Sequence, residues 1–510
     1  MARNCALLSV AGALICLLLG ACGGSSSSTS GPATPTATPT SVADTIIFSP
    51  VATTLTPSST SSQFTITLTA YDSHGGIITP SSTNQFNLAV YGVPDGVITP
   101  PTQTLSTSSA TFTYTGASFP NNVLIDAWIS DPRTGGFAIG QTLVLPQPAT
   151  CATATQNYSV SLTSTLPNAL KIAAAVGYTN PSAIPTPAAD YTVDTGSLGT
   201  IVPESEIAAA QKDGANGFVI GPGPKGTTCY DSSNNAYWGR YYLAPVDIQT
   251  NSGWIQTNPI MVLAVQYTCK VSSCASVPRN PPCKSAANLH YIGVGYDRES
   301  GNPSELFESP AQNAFLQVTD ANNGTDIGPG YVLTTSGVTV GVNSTSPAGY
   351  GAYQLTPDSA HPGDFQLIPG SFSFPSLSSQ FSGRGIFDVG IDNMLLKLPK
   401  AQWPAGAATP IPSTACPGNY QVPTGVAMNV TLGNPSSPVV SYSFTNGGTP
   451  SGNDPDSICW QDTTNTSLAG TPIVNTGRNP LNCYNYFYQG QCGVVGFQQI
   501  SPAPSGCPTP

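Results

Sequence analysis

Tyr191-Thr192-Val193-Asp194-Thr195-Gly196-Ser197 is a β-branched run that ends directly in an Asp and a Gly. Such a run reads as a strand whose carboxylate sits on a tight turn at its end. It continues as Leu198-Gly199-Thr200-Ile201-Val202-Pro203. The second Asp, 194 residues later, lies in Gly385-Ile386-Phe387-Asp388-Val389-Gly390-Ile391, followed by Leu395-Leu396 and Leu398-Pro399. Both segments share one build: an apolar pair, Asp, any residue, Gly, and an apolar strand closed by Pro. One Asp-Thr-Gly in a chain rich in Ser, Thr and Gly could be a surface turn. Two segments of the same build suggest a pair of carboxylates.

Elsewhere, short runs rich in Val, Ile, Thr, Tyr and Phe alternate with Gly, Pro, Asn and Ser, which is an all-β pattern. The best helix candidates are the short stretches Glu204 to Gln211 and Ala311 to Val318. Residues 43–148 carry alternating runs at Phe64–Tyr71, Phe86–Tyr91, Ala110–Tyr114, Val123–Trp128 and Thr142–Leu145. This fits an immunoglobulin-like β-sandwich of about seven strands, read first as a spacer. The remaining residues, from 151 to 510, are too many for one more sandwich and are expected to form two lobes, 151–305 and 306–510.

The Asp194 segment, including its closing Val202-Pro203, resembles the first active-site segment of pepsin-like aspartic proteases, and the Asp388 segment resembles the second. Weaker matches follow in order. Tyr237-Trp238-Gly239 lies 43 residues beyond Asp194, where that family carries a Tyr-Gly on its flap hairpin. Tyr291-Ile292-Gly293 resembles the element that braces the first active-site loop, and Ile473-Val474-Asn475 its second-lobe equivalent with Asn in place of Gly. Phe487-Tyr488 and Val494-Val495-Gly496-Phe497 resemble the last hairpin. The resemblance implies an all-β fold: an N-terminal immunoglobulin-like sandwich followed by a bilobal pepsin-like body with few short helices. It further implies an aspartic endopeptidase chemistry in which Asp194 and Asp388 share one proton and activate a water, supported by Thr195, Gly196, Ser197 and Gly390. Tyr237, Trp238 and Gly239 would form the flap. It also implies a Cys416–Cys459 disulfide.

The chain departs from that family at three places. Val389 and Ile391 stand where hydroxyl residues normally lock the two loops and bond the outer carboxylate oxygen, and Ile201 replaces a Trp that bonds the flap Tyr. Loss of donors to a carboxylate raises its pKa, so the expectation is that Asp388 holds the proton and Asp194 is the ionised base. The same losses support an alternative, an inactive fold that binds peptide or glycan in its cleft. A third reading makes the chain a structural or adhesive β-sandwich protein with two unrelated Asp turns.

The sequence holds 25 acidic and 14 basic residues, a net charge of −11, with no basic cluster, which argues against nucleic acid as a partner. So few ionisable groups leave little charge to change on acidification, which suits low pH. Three scattered histidines and no Cys-x-x-Cys give a metal site little material, and no cofactor is expected. The expected partners are a peptide or protein in the interlobe cleft, and the membrane through a lipid anchor, for a monomer.

That anchor is read from residues 1–22. Arg3, the apolar run Ala6–Leu19 and Leu19-Gly20-Ala21-Cys22 read as an export signal, and the last four residues resemble a lipobox with Cys22 as the lipidated residue. Residues 23–42 form a Ser/Thr/Pro-rich tether. Gly23, rather than Asp, favours the outer membrane by the same resemblance, placing the protein in the bacterial cell envelope on its periplasmic or surface face. Outside the cytoplasm the ten cysteines beyond Cys22 read as disulfides. Cys483 and Cys492 are expected to pair locally, while Cys269, Cys274 and Cys283 compete among themselves.

Overall fold

The computed structural model describes residues 43–507 with interruptions, the longest at 147–155, 275–282 and 298–308. Residues 1–42, on which the expected signal, Cys22 anchor and tether fall, lie outside the described residues. What is described is all-β, with a single α-helix, Glu204–Lys212, among the described residues. The second helix candidate is instead two 3-10 turns, Pro310–Gln312 and Ala314–Leu316. Asn313 between them is extended, and its side chain accepts from the Phe315 amide, so it ends one turn and caps the next.

Residues Ala43 to Pro146 supply ten strands of one sheet. Alternation decides its inner face: Ile66, Leu68 and Ala70 are buried while Thr65 and Thr67 are exposed. Strands from the two ends of the sheet share one apolar core, in which Ile66, Phe112, Phe86 and Ile125 are fully buried.

The body has two lobes built on one pattern. In the first, Ala189–Asp194 pairs in parallel with Tyr291–Val294, Asp194 opposite Gly293. Leu198–Pro203 pairs antiparallel with the same strand, so Tyr291–Val294 runs between the two arms of the Asp194 turn. Leu198–Pro203 then pairs in parallel with Ile260–Lys270. The second lobe repeats each step. Ser379–Ile386 pairs in parallel with Ile473–Asn475, Met394–Leu398 antiparallel with that strand, and Met394–Leu398 in parallel with Ile458–Asp462. Six further strands bridge the lobes in the order Tyr158–Ser164, Gly337–Val340, Gly330–Leu333, Tyr484–Gln489, Val494–Gln499 and Gly351–Gln354. The first and last parts of the body meet in this sheet, which fixes the lobes side by side.

Four disulfides join pairs of described residues, and one corrects the sequence reading. Cys416 pairs with Cys459, Cys269 with Cys283 and Cys229 with Cys274. Cys483 pairs with Cys507, not with Cys492, which is itself disulfide-bonded elsewhere. The reason is hairpin geometry. Tyr484 faces Gln499 and Gln489 faces Val494, so Cys483 stands at the open end and Cys492 at the turn. Six residues of strand separate them by about 20 Å, far beyond the span of a disulfide. The tail returning from Gln499 brings Cys507 beside Cys483 instead.

Candidate active site

The two Asp turns meet where the lobes face each other. Asp194, Thr195, Ser197 and Asp388 are all buried. Each turn is tied to its own lobe first. The Gly196 amide donates to Asp194 Oδ1 at 2.7 Å and the Gly390 amide to Asp388 Oδ1 at 2.9 Å. Ser197 Oγ donates to Asp194 Oδ2 at 2.7 Å.

The glycines explain why the pattern requires Asp-x-Gly. A Cβ on Gly196 would lie 2.3 Å from the Asp388 carboxylate, and one on Gly390 would lie 2.3 Å from that of Asp194. Each glycine is the opening through which the opposite carboxylate approaches, and the two carboxylates come within hydrogen-bonding reach of each other. Sequence reading left open that these were unrelated surface turns; the geometry brings them together.

Thr195 locks the turns across the lobe boundary. Its hydroxyl donates to the Phe387 carbonyl at 2.5 Å and accepts from the Val389 amide at 3.0 Å. Val389, fully buried, offers no hydroxyl in return. The lock is one-sided, as the sequence suggested.

The expected shortage of donors at Asp388 is not found. Asn475 Nδ2 donates to Asp388 Oδ2 at 2.6 Å, the place that Ser197 fills at Asp194. Asn475 is held in turn, since its Oδ1 accepts from the Gly477 amide at 3.0 Å. Two departures from the family pattern, Ile391 without a hydroxyl and Asn475 in place of Gly, therefore compensate each other. In the first lobe the equivalent position must be glycine, because a Cβ on Gly293 would meet the Leu198 backbone at 2.6 Å. Sequence reading noted Asn475 but gave it no role. With Asp388 supplied, the reason for placing the proton there is gone. Burial, and then the neighbouring Asp388 charge, push the Asp194 carboxyl up to about 7. The pair therefore retains a proton, and with one amide and one side-chain donor at each carboxylate the donor sets no longer favour Asp388 as its holder.

Tyr237, Trp238 and Gly239 lie on Asn235–Ala244, the second strand of a hairpin with Lys225–Tyr230. This strand is also paired along its whole length with Ile260–Lys270. It is thus the middle of three strands, and the Cys229–Cys274 and Cys269–Cys283 disulfides brace its outer end. The residues expected to form the flap thus lie on a strand tied on both edges. Gly239 is required at an irregularity in the pairing, where a Cβ would stand 1.9 Å from the Ala264 carbonyl oxygen. Tyr237 is buried with its ring 6.3 Å from that of Tyr291, and burial, then Tyr291, raise its pKa above the ordinary phenol value. Tyr291 is also raised, by burial and then by the Asp194 charge, and it feels the Arg478 guanidinium. Its strand is the one that seats Gly293 opposite Asp194. Tyr291 was read only as part of a bracing strand; its aromatic ring two positions before Gly293 was the signal available.

No family model and no curated protein matches the chain. Among solved structures it is similar to the aspartic proteinase from Irpex lacteus, at 16% identity and a TM-score of 0.41, over 68% of this chain and 98% of that one. The reading of the site rests on its own geometry.

Proposed function

We propose that the protein is an exported, lipid-anchored aspartic-type endopeptidase, in which Asp194 and Asp388 activate a water against a peptide carbonyl. The observation that carries this is the reciprocal seating of the two Asp-x-Gly turns, which holds the carboxylates in reach of each other, with the Asp194 carboxyl raised by burial and by its neighbour Asp388. Two carboxylates so placed do not both ionise readily, and one proton between them gives an acid and a base at adjacent positions. Asp388, its outer oxygen held by Asn475, accepts the proton of the attacking water. Asp194 donates its hydrogen to the carbonyl oxygen as negative charge develops there. The reaction needs no covalent intermediate. The envelope location and the Cys22 anchor enter as part of the proposal, on the sequence of residues 1–42.

One observation favours a second reading, a cleft that binds peptide without cutting it. The hairpin carrying Tyr237 is braced on both edges, which restricts closure over a substrate. A statine-type peptide, whose hydroxyl occupies the position of the attacking water, separates the two. The endopeptidase reading expects it to raise the Tm of residues 43–510 in mild acid, and to raise that of Asp194→Asn and Asp388→Asn far less. Equal stabilisation of all three proteins would favour the binding-only reading.

A further inference from the structure

The N-terminal β unit, read from sequence as a spacer, is packed against the sheet that carries Tyr237. Ile139, on the strand Phe137–Pro146, is fully buried in one cluster with Ile220, Tyr237, Tyr241, Leu243 and Met261 of the first lobe, and Trp128 packs on the same cluster. The approach is close enough that a Cβ on Gly223 would lie 2.9 Å from Ile139 Cδ1. Leu124 reaches further, into the main core of the body.

Beside this apolar contact lies a hydrogen-bonded centre. Gln141 Nε2 donates to Asp126 Oδ1 at 2.7 Å within the unit, and to the Pro259 carbonyl at 3.0 Å across the boundary. Gln141 Oε1 accepts from Gln312 Nε2 at 2.7 Å and from the Met261 amide at 3.4 Å. One amide thus uses both donors and both lone pairs, three of the four contacts being with the body. A side chain so fully satisfied fixes a single register, because a shifted docking would leave buried partners without a hydrogen bond. A tether-like spacer has no need of either feature.

We propose that the N-terminal β unit is a docked brace that holds the outer face of the Tyr237 hairpin sheet, making the cleft the product of three parts of the chain and not of two lobes alone. Its apolar partner surface, Met261, Leu243 and Ile220 around Gly223, is the docking face, and its occupant is the chain's own strand Phe137–Pro146. The inference does not draw on hydrolysis, and its test needs none.

Residues 43–150 contain no cysteine, so no disulfide can hold the unit to the body once the chain is cut there. A site-specific protease site placed within 147–150 of the 43–510 protein allows that cut with every interface residue native. The brace predicts that the two pieces co-elute on gel filtration as one particle. Combining the cut with Ile139→Asp and Gln141→Leu should release the unit. Hydrogen exchange should then show residues 225–244 losing protection while Ser379–Ile386 in the second lobe keeps its own. Separation of the native-sequence pieces after cutting would overturn the proposal. So would release of the unit with exchange in 225–244 unchanged.

Discussion

Replacing Asn475 by Ala removes the 2.6 Å bond to Asp388 Oδ2 and leaves a buried carboxylate oxygen without its amide donor. A hydrogen bond to a charged acceptor contributes about 1.5–3 kcal/mol. The expected loss of stability at neutral pH is therefore about 2 kcal/mol, plus a smaller amount for the side-chain volume. A double-mutant cycle isolates the first part. Urea unfolding of the wild type, Asn475→Ala, Asp388→Leu and the double variant should give a coupling energy of about 1.5–2 kcal/mol. Ile391→Thr provides a rescue, because it puts a hydroxyl three residues after Asp388, as Ser197 stands three after Asp194. In the Asn475→Ala background it should restore about half of the loss, by the strength of one hydroxyl bond. A coupling below about 0.5 kcal/mol, with no rescue, would refute the claim that Asn475 replaces the missing hydroxyl.

Thr195→Val removes both bonds across the lobe boundary and should cost about 2–3 kcal/mol in the same unfolding assay, with little change in secondary structure by circular dichroism. Gly390→Ala drives a methyl into the Asp194 carboxylate and should abolish binding of a statine-type peptide while leaving the protein folded. Because the Asp194 carboxyl is raised to about 7 in the folded protein, against about 3.9 in an unfolded chain, its contribution is full below about pH 4 and is lost as pH rises to about 7. The stability of wild type relative to Asp194→Asn should therefore fall across that window in urea unfolding; a flat difference would contradict a raised Asp194 carboxyl.

How much of this was legible in the sequence depends on whether a residue acts through its neighbours in the chain or through a distant one. The Asp194 and Asp388 turns could be read because strand, Asp and Gly are contiguous, and the turn chemistry is local. Alternation marked five of the ten strands of the N-terminal unit for the same reason, the expectation having been about seven. Of the helix candidate in parts of Ala311–Val318 only 3-10 turns form, since the Asn313 side chain ends one and caps the next, which apolar content alone does not show. The Cys483–Cys492 pairing failed because closeness in sequence is the wrong measure across a hairpin. The role of Asn475 lies 87 residues from Asp388 and becomes visible only once the strand Ile473–Asn475 is seated between the arms of the second turn. The docking of the N-terminal unit rests on Ile139 and Gln141, whose residue types gave no sign of a partner surface.

The most direct test of the account is cleavage of a denatured protein mixture by residues 43–510, from about pH 3 to pH 7, with wild type, Asp194→Asn and Asp388→Asn compared. The account predicts peptide cleavage in acid by the wild type, inhibition by a statine-type peptide, and no cleavage by either variant although both remain folded. Cleavage that survives either substitution, or its absence at every pH from a folded wild type, would contradict it.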